Sequence, residues 1–141
     1  MMELTDRKEI SVRFSEVDSM RIVWHGNYIK YFEDGRESFG IKYDLGYLEV
    51  YKHQVMIPLV RISCDFKRPL QYGDIAIIET RYIPTDSAKI VFEYTVFRKS
   101  DMEIMATGSS IQVFLTQTGE LLLTAPEFYT GWKKHWGIID E

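Results

Sequence analysis

The chain of 141 residues has little of what marks several protein classes. Cys64 is its only cysteine, so no intramolecular disulfide can form, and this usage favours a reducing compartment. No apolar run approaches the length that a membrane-spanning helix needs. The net charge of -4 argues against broad binding to nucleic acid. We therefore expect a cytoplasmic protein with no membrane insertion and no nucleic-acid partner.

The signatures of several enzyme mechanisms are also missing. No Gly-x-Ser-x-Gly motif is present, which argues against the serine nucleophile of an α/β-hydrolase. His25, His53 and His135 are far apart in the sequence and lack metal-ligand spacing with Cys64. No glycine-rich loop that would cradle a phosphate is visible. The sequence therefore predicts neither a bound metal nor a cofactor.

The composition that remains is typical of a globular protein, with 45% hydrophobic and 14% aromatic residues. Repeats, linkers and low-complexity tracts are absent, so we expect residues 1–141 to form a single domain. Alternating or apolar runs predict strands over Glu9–Ser15, Ile57–Phe66, Ile75–Ile83, Ala88–Phe97 and Glu103–Leu115. One long helix early in the chain, followed by antiparallel strands, predicts an α+β fold in which a sheet wraps over the helix.

A short C-terminal helix is predicted as well. Thr124 and Glu127 have the spacing of a capping box, with Pro126 in the first turn. Phe128, Trp132 and Trp136 then recur at helical spacing.

The most informative stretch reads as strand, acidic loop and helix. Asp18 lies in the loop, and His25, Gly26 and Asn27 lie where the helix begins. We expect Asn27 to be the N-cap, because its side chain can accept a hydrogen bond from the free N–H groups of the first turn. A carboxylate just before a helix start suggests chemistry, since those N–H groups can polarise a carbonyl. Asp18 also fits a structural role, because turns favour aspartate.

These residues resemble a known family. Asp18, Ile22-Val23-Trp24-His25, Asn27-Tyr28 and Phe32-Glu33 with Arg36 are similar to the signature of hotdog-fold acyl-CoA thioesterases. The branch that they resemble most contains 4-hydroxybenzoyl-CoA thioesterase and the Tol-Pal-associated acyl-CoA thioesterases. The resemblance implies a hotdog fold and hydrolysis of a thioester to a free acid and coenzyme A. It also implies a homodimer or homotetramer with active sites between subunits.

The resemblance implies a role for Asp18 as the catalytic carboxylate. Asp18 would either attack the thioester carbonyl and form a mixed anhydride, or take a proton from water. His25 is expected in the site as a second catalytic residue, although a lone histidine beside a helix start also suits a structural role. Backbone N–H groups near His25 and Gly26 are expected to stabilise the oxyanion. The expected substrate-binding residues are Gly26, Asn27, Tyr28, Arg21, Lys67 and Arg68.

Three of those residues carry positive charge. Lys67 and Arg68 end a strand beside a turn, where they are either solvated or in contact with coenzyme A phosphates. Arg21 occupies a position where the family usually has glycine. Because arginine rarely adopts positive φ, we predict that Arg21 keeps a negative φ. Its side chain would lean out of the acyl pocket, toward a phosphate or Glu16.

Two other functions compete with thioester hydrolysis. The first is a non-catalytic hotdog protein that binds acyl-CoA or acyl carrier protein, which only the arginine at position 21 encourages. The second is a dehydratase of hydroxyacyl thioesters. Its chemistry needs a histidine base paired with an acidic residue, and the Asp18 loop fits hydrolysis better.

Overall fold

The computed structural model describes residues 3–139. Its strands are β1 Thr5–Ser11, β2 Val55–Met56, β3 Leu59–Phe66, β4 Ile75–Ile83, β5 Lys89–Arg98, β6 Glu103–Val113 and β7 Leu115–Thr116. Its helices are α1 Asn27–Tyr43, α2 Tyr47–Tyr51 and α3 Glu127–His135, and a short 3-10 turn covers Phe14–Glu16. The main sheet is antiparallel, with the strand order β1-β4-β5-β6-β3, and β2 pairs with β7.

Helix α1 lies across the main sheet and buries one aromatic stripe against it. Tyr28, Phe32, Phe39 and Tyr43 are buried at helical spacing. Gly35 lets the helix approach β4 closely, because a Cβ there would lie 2.6 Å from Thr80 Oγ1. The predicted α+β arrangement of a long helix wrapped by an antiparallel sheet is confirmed.

The first strand begins and ends four residues earlier than the prediction. It ends at Ser11, and Phe14 lies in the 3-10 turn with 76% of its surface exposed. The side chain of Glu16 accepts a hydrogen bond from the Arg13 N–H at 2.7 Å, which closes this turn. The chain therefore leaves the sheet before Phe14 can share a face with Val12. On α1, Ile29 is 40% exposed and so lies outside the buried stripe of the helix.

Both predicted helix caps are wrong. Gly26 is the N-cap of α1, and Asn27 instead uses its Nδ2 to donate to the Glu16 carbonyl at 2.9 Å. Helix α3 begins after Pro126, with no hydrogen bond from a side chain to its first turn. The fixed φ of proline sets the direction of the chain there without the capping box. The segment after α1, expected to be irregular, contains α2.

A bulge changes which residues of β6 face the helix. The pairing of β5 with β6 shifts between Val96 and Phe97, so Met105 and Ala106 are both buried although they are consecutive. Beyond the bulge Ser110 is buried, whereas Ile111 faces the other side of the sheet. Met105 and Ile111 therefore do not share a face of β6, although a strand that alternated regularly would place them on one side. Within residues 3–139, every helix is too short or too polar to cross a membrane.

Candidate active site

A tight hairpin presents Asp18. Val17 pairs with Val23, and the Asp18 N–H donates to the Ile22 carbonyl at 2.9 Å. The Asp18 carbonyl in turn accepts the Arg21 N–H at 2.9 Å. A three-residue loop of this kind combines a type I turn with a left-handed residue. Arg21 is that residue, with φ of 68°.

The prediction that Arg21 keeps a negative φ is therefore wrong. The hairpin geometry requires positive φ at this position, a conformation that glycine adopts with the least strain. The Arg21 side chain is exposed and lines neither of the two cavities described below. Within residues 3–139 it forms no ion pair, and Glu16 hydrogen bonds to other groups instead.

The Asp18 carboxylate is oriented by its own loop. Its Oδ1 accepts the Met20 N–H at 2.8 Å, as in an Asx turn. Oδ2 has no hydrogen-bond donor among the described residues, so one carboxylate oxygen remains available for chemistry. The structural role and the chemical role that the sequence left as alternatives for Asp18 are therefore compatible.

The start of α1 offers backbone donors beside this loop. The Asn27 and Tyr28 N–H groups donate to Trp24 and His25 carbonyls. Across residues 3–139, no acceptor is found for the N–H groups of His25 and Gly26. The oxyanion role that the sequence resemblance implies for these groups stays a prediction.

Gly26 lies directly beside the Trp24 ring, so a larger residue there would require the ring to move. A Cβ at Gly26 would lie 2.1 Å from that ring. The Trp24 ring also lies against the His25 imidazole, with centroids 4.9 Å apart. This packing keeps the start of the helix compact. The two N–H groups without an acceptor belong to the adjacent residues His25 and Gly26.

A pocket of 280 Å³ joins the loop, the helix start and the end of β3. It brings together five of the predicted site residues, which are Asp18, His25, Tyr28, Lys67 and Arg68. Phe66 forms one wall and contacts the Tyr28 ring edge to face at 5.2 Å. Gly26, Asn27 and Arg21 do not line the pocket. Gly26 nevertheless adjoins it through the backbone, whereas Asn27 is buried behind it.

The side chains of this pocket favour a carboxylate as the reactive group. Burial raises the pKa of Tyr28, so its phenol stays protonated and its ring acts as a wall. Cys64, on β3 two residues before Phe66, also has a raised pKa of about 11 because of burial, which disfavours a thiolate nucleophile. Among residues 3–139, no three His, Cys, Asp or Glu side chains form a potential metal-ligand cluster.

Sequence reasoning missed the residues that hold the loop. Glu16 accepts the Tyr31 hydroxyl at 3.1 Å through Oε1, and its carbonyl accepts both Asn27 Nδ2 and the Trp24 N–H at 2.9 Å. Tyr31 is fully buried. These bonds fasten the Asp18 loop to α1 from both sides. Only the spacing of Glu16 before the helix signalled such a contact.

A second, larger cavity of 580 Å³ lies at the other end of β3. It is bounded by α1, by α2 and by the segment that leads into β3. Leu59 lines this cavity, whereas Phe66 lines the Asp18 pocket, so the two spaces lie at opposite ends of one strand. Seven residue steps along a strand correspond to about 23 Å.

Comparison with known proteins identifies the family. Residues 12–132 match the model of the thioesterase-like superfamily. YneP, a proposed acyl-CoA thioesterase of Bacillus subtilis (strain 168), is 39% identical over 110 residues, which cover 76% of this chain and 78% of YneP. The chain belongs to the thioesterase-like superfamily, and its enzyme class is thioester hydrolase.

Solved structures show the same fold. A DHNA-CoA thioesterase from Staphylococcus aureus superposes with a TM-score of 0.83 at 22% identity, covering 95% of this chain and 92% of that one. A 4-hydroxybenzoyl-CoA thioesterase variant, solved with 4-hydroxybenzoyl-CoA, superposes with a TM-score of 0.79 at 22% identity. It covers 92% of this chain and 98% of its own. The hotdog fold that the sequence resemblance implied is confirmed.

Proposed function

We propose that the chain hydrolyses acyl-CoA thioesters with Asp18 as the catalytic carboxylate and the N–H groups of His25 and Gly26 as oxyanion donors. The observation that carries the proposal is the pocket that joins a half-satisfied carboxylate to a helix start with two free donors. The solved 4-hydroxybenzoyl-CoA thioesterase holds its substrate in a variant with asparagine in place of an aspartate, which supports a carboxylate mechanism in this fold.

The chemistry needs few groups. The free N–H donors polarise the thioester carbonyl, and each such donor lowers the barrier by about 3 kcal/mol. Asp18 either takes a proton from a water that attacks the carbonyl, or attacks the carbonyl carbon itself, in which case water hydrolyses the resulting mixed anhydride in a second step. The thiolate then leaves without a dedicated general acid, because a thiol has a pKa of only about 8.5. His25 borders the same pocket and orients the carbonyl or the water.

Coenzyme A would enter over the basic end of β3. Lys67 and Arg68 line the Asp18 pocket and are exposed. Arg68 pairs with Glu103 at 2.7 Å, whereas Lys67 forms no ion pair within residues 3–139. Lys67 is therefore the better candidate for a phosphate contact. The single cysteine remains the basis for a cytoplasmic location.

The proposal includes a homodimer formed through β3. This strand is at the edge of the sheet, and its outer residues Val60 and Phe66 are 60% and 55% exposed. A long apolar edge is a site for pairing with another chain. Antiparallel pairing of two β3 strands about their centre would place Phe66 of one copy opposite Leu59 of the other. The Asp18 pocket of one copy would then face the larger cavity of its partner.

Replacing one carboxylate oxygen of Asp18 by an amide nitrogen tests the mechanism. Asp18→Asn keeps the bond from the Met20 N–H but removes the reactive oxygen, so we expect kcat to fall about a thousandfold or more with folding intact. Thiol release from an acyl-CoA panel measures this, and acyl carrier protein thioesters added to the panel identify the carrier. Asp86→Asn, in an exposed loop, is the matched control.

Each alternative outcome is informative. Turnover close to wild type in a folded Asp18→Asn protein would contradict the assignment of Asp18. Tight acyl-CoA binding by the wild type without any thiol release would favour the non-catalytic binding protein. A fully active monomer, measured by sedimentation at micromolar concentration, would contradict the shared site.

A further inference from the structure

The larger cavity has one polar wall in an apolar enclosure. Ile57, Leu59, Ile90 and Phe92 line its apolar side. Glu33, Arg36 and Glu37, all on α1, line the opposite wall. Glu33 and Glu37 are exposed, whereas Arg36 is half-buried, so the arginine is the charged group of this wall that needs a specific partner.

Arg36 is held in place from the sheet. Its Nη1 donates to the Tyr94 hydroxyl at 3.0 Å, and that hydroxyl lies 2.6 Å from Ser110 Oγ. Tyr94 and Ser110 are each 1% exposed. The guanidinium is thus hydrogen bonded to the buried Tyr94–Ser110 pair, which fixes its position. Such fixed groups give precise recognition, because little side-chain freedom is lost on binding.

Most of the Arg36 donors remain available. A guanidinium has five N–H donors, and the Tyr94 hydroxyl accepts from one of them. Throughout residues 3–139, no carboxylate oxygen lies within 4.0 Å of the Arg36 guanidinium, although Glu33 and Glu37 line the same wall. The arginine is half-buried and lines the cavity, so its remaining donors are in reach of a ligand there.

We propose that Arg36 is a specificity-determining residue, which selects acyl groups that carry a neutral oxygen function at their far end. This inference rests on the proposed function, because the β3-paired dimer delivers the acyl group from the Asp18 pocket of one copy into this cavity of the other. A hydroxyl or keto oxygen accepts from the guanidinium. A plain hydrocarbon would leave the donors unpaired, and a site built to bond an oxygen rejects the analogue that lacks it.

The flanking glutamates decide which oxygen function fits. Two carboxylates and one guanidinium give this wall a net negative charge, which disfavours a terminal carboxylate on the acyl group. A hydroxyl suits the wall better, because it can accept from Arg36 and donate to Glu33 or Glu37. We therefore expect a hydroxyl to be preferred over a carboxylate of the same chain length.

The experiment compares matched acyl-CoA pairs. Saturated acyl-CoAs of increasing length are each measured beside their terminal hydroxy and terminal carboxy counterparts, and aromatic acyl-CoAs with and without a hydroxyl extend the panel. At the length that fits, we expect wild-type kcat/KM to be about tenfold or more higher for the hydroxy substrate. Arg36→Met, which keeps length but removes charge and donors, should abolish that preference.

Controls separate recognition from folding. Tyr94 and Ser110 still bond to each other without the arginine, so Arg36→Met should fold, and Arg36→Lys should restore part of the preference. Lys30→Met removes a cation from an exposed position of the same helix that does not line the cavity, and it should keep the full preference. Equal turnover of hydroxy and plain substrates by the wild type would overturn the inference, as would an unchanged preference in Arg36→Met.

A binding measurement keeps this result distinct from the proposed catalysis. Calorimetric titration with non-hydrolysable alkyl-CoA thioethers, with and without a terminal hydroxyl, measures recognition alone. Tighter binding of the hydroxyalkyl thioether, lost in Arg36→Met, would support the inference even if no thioester were hydrolysed. Hydrolysis without any such binding preference would overturn the inference and leave the proposed function standing.

Discussion

Replacing Arg21 by glycine should stabilise the protein. Arg21 adopts φ of 68° because the three-residue hairpin loop requires a left-handed residue there. A side chain with a Cβ costs about 1–2 kcal/mol in this conformation. Glycine avoids that strain, but its greater conformational freedom in the unfolded chain lowers the free energy of unfolding by about 0.5–1 kcal/mol. The expected net gain in free energy of unfolding is about 0.7 kcal/mol.

This gain corresponds to a small but measurable rise in Tm. For a chain of 141 residues, the unfolding entropy is about 0.3 kcal/mol per degree. The Arg21→Gly protein should therefore melt about 2 °C higher than wild type at the same protein concentration. Scanning calorimetry and urea unfolding both measure the difference, and an unchanged m-value would show that the denatured state is the same.

Arg21→Ala is the matched control, because it removes the guanidinium but keeps the Cβ. Its stability should stay within about 0.5 kcal/mol of wild type. If alanine stabilises the protein as much as glycine does, backbone strain is not the cause and the reasoning is refuted. The same pair tests the role of the charge: a KM for acyl-CoA that rises in both variants, and less so at high salt, would indicate a phosphate contact.

Two further substitutions test the packing behind the site. Gly35→Ala should destabilise the protein by about 1 kcal/mol, because the new Cβ would lie 2.6 Å from Thr80 Oγ1 and 2.7 Å from Ile78 Cγ2. The cost of repacking outweighs the gain in helix propensity. A gain in stability, measured by denaturant unfolding, would contradict this close approach. Tyr31→Phe should lower the free energy of unfolding by about 1.5 kcal/mol, because Glu16 loses a buried donor. It should also lower kcat and change KM less, because the Asp18 loop loosens. An unchanged kcat would show that the bond does not position Asp18.

The sequence predicted the parts of the fold that periodicity controls. The strand predicted over Ile75–Ile83 matches β4 at both ends. The strand predicted over Ala88–Phe97 is β5, shifted by one residue, and Ile90, Phe92, Tyr94 and Val96 form its buried face. Long apolar patterns report burial directly, because residues on one face of a strand share an environment. The edge strand β3 is a weaker case, since Val60 and Phe66 continue the pattern but lie exposed.

Features set by contacts between distant segments were not predicted. Asparagine is a favoured N-cap residue, yet the Asn27 side chain donates to the carbonyl of Glu16 instead. Arg21 has poor propensity for positive φ, yet the pairing of Val17 with Val23 imposes it. Local preference is worth about 1 kcal/mol in each case, and a hydrogen-bonded hairpin outweighs it. Arg36 belongs to the same group, because its partner Tyr94 is 58 residues away.

The distribution of charge reconciles an acidic protein with an anionic substrate. The net charge of -4 would repel coenzyme A phosphates over most of the surface. Lys67 and Arg68, however, border the Asp18 pocket, and Arg21 lies in the same loop as the carboxylate. The far cavity instead presents Glu33 and Glu37. In the proposed dimer the positive end of each composite site therefore receives the phosphates and the negative end receives the acyl group, so the distribution of charge favours the orientation that brings the thioester carbonyl to Asp18.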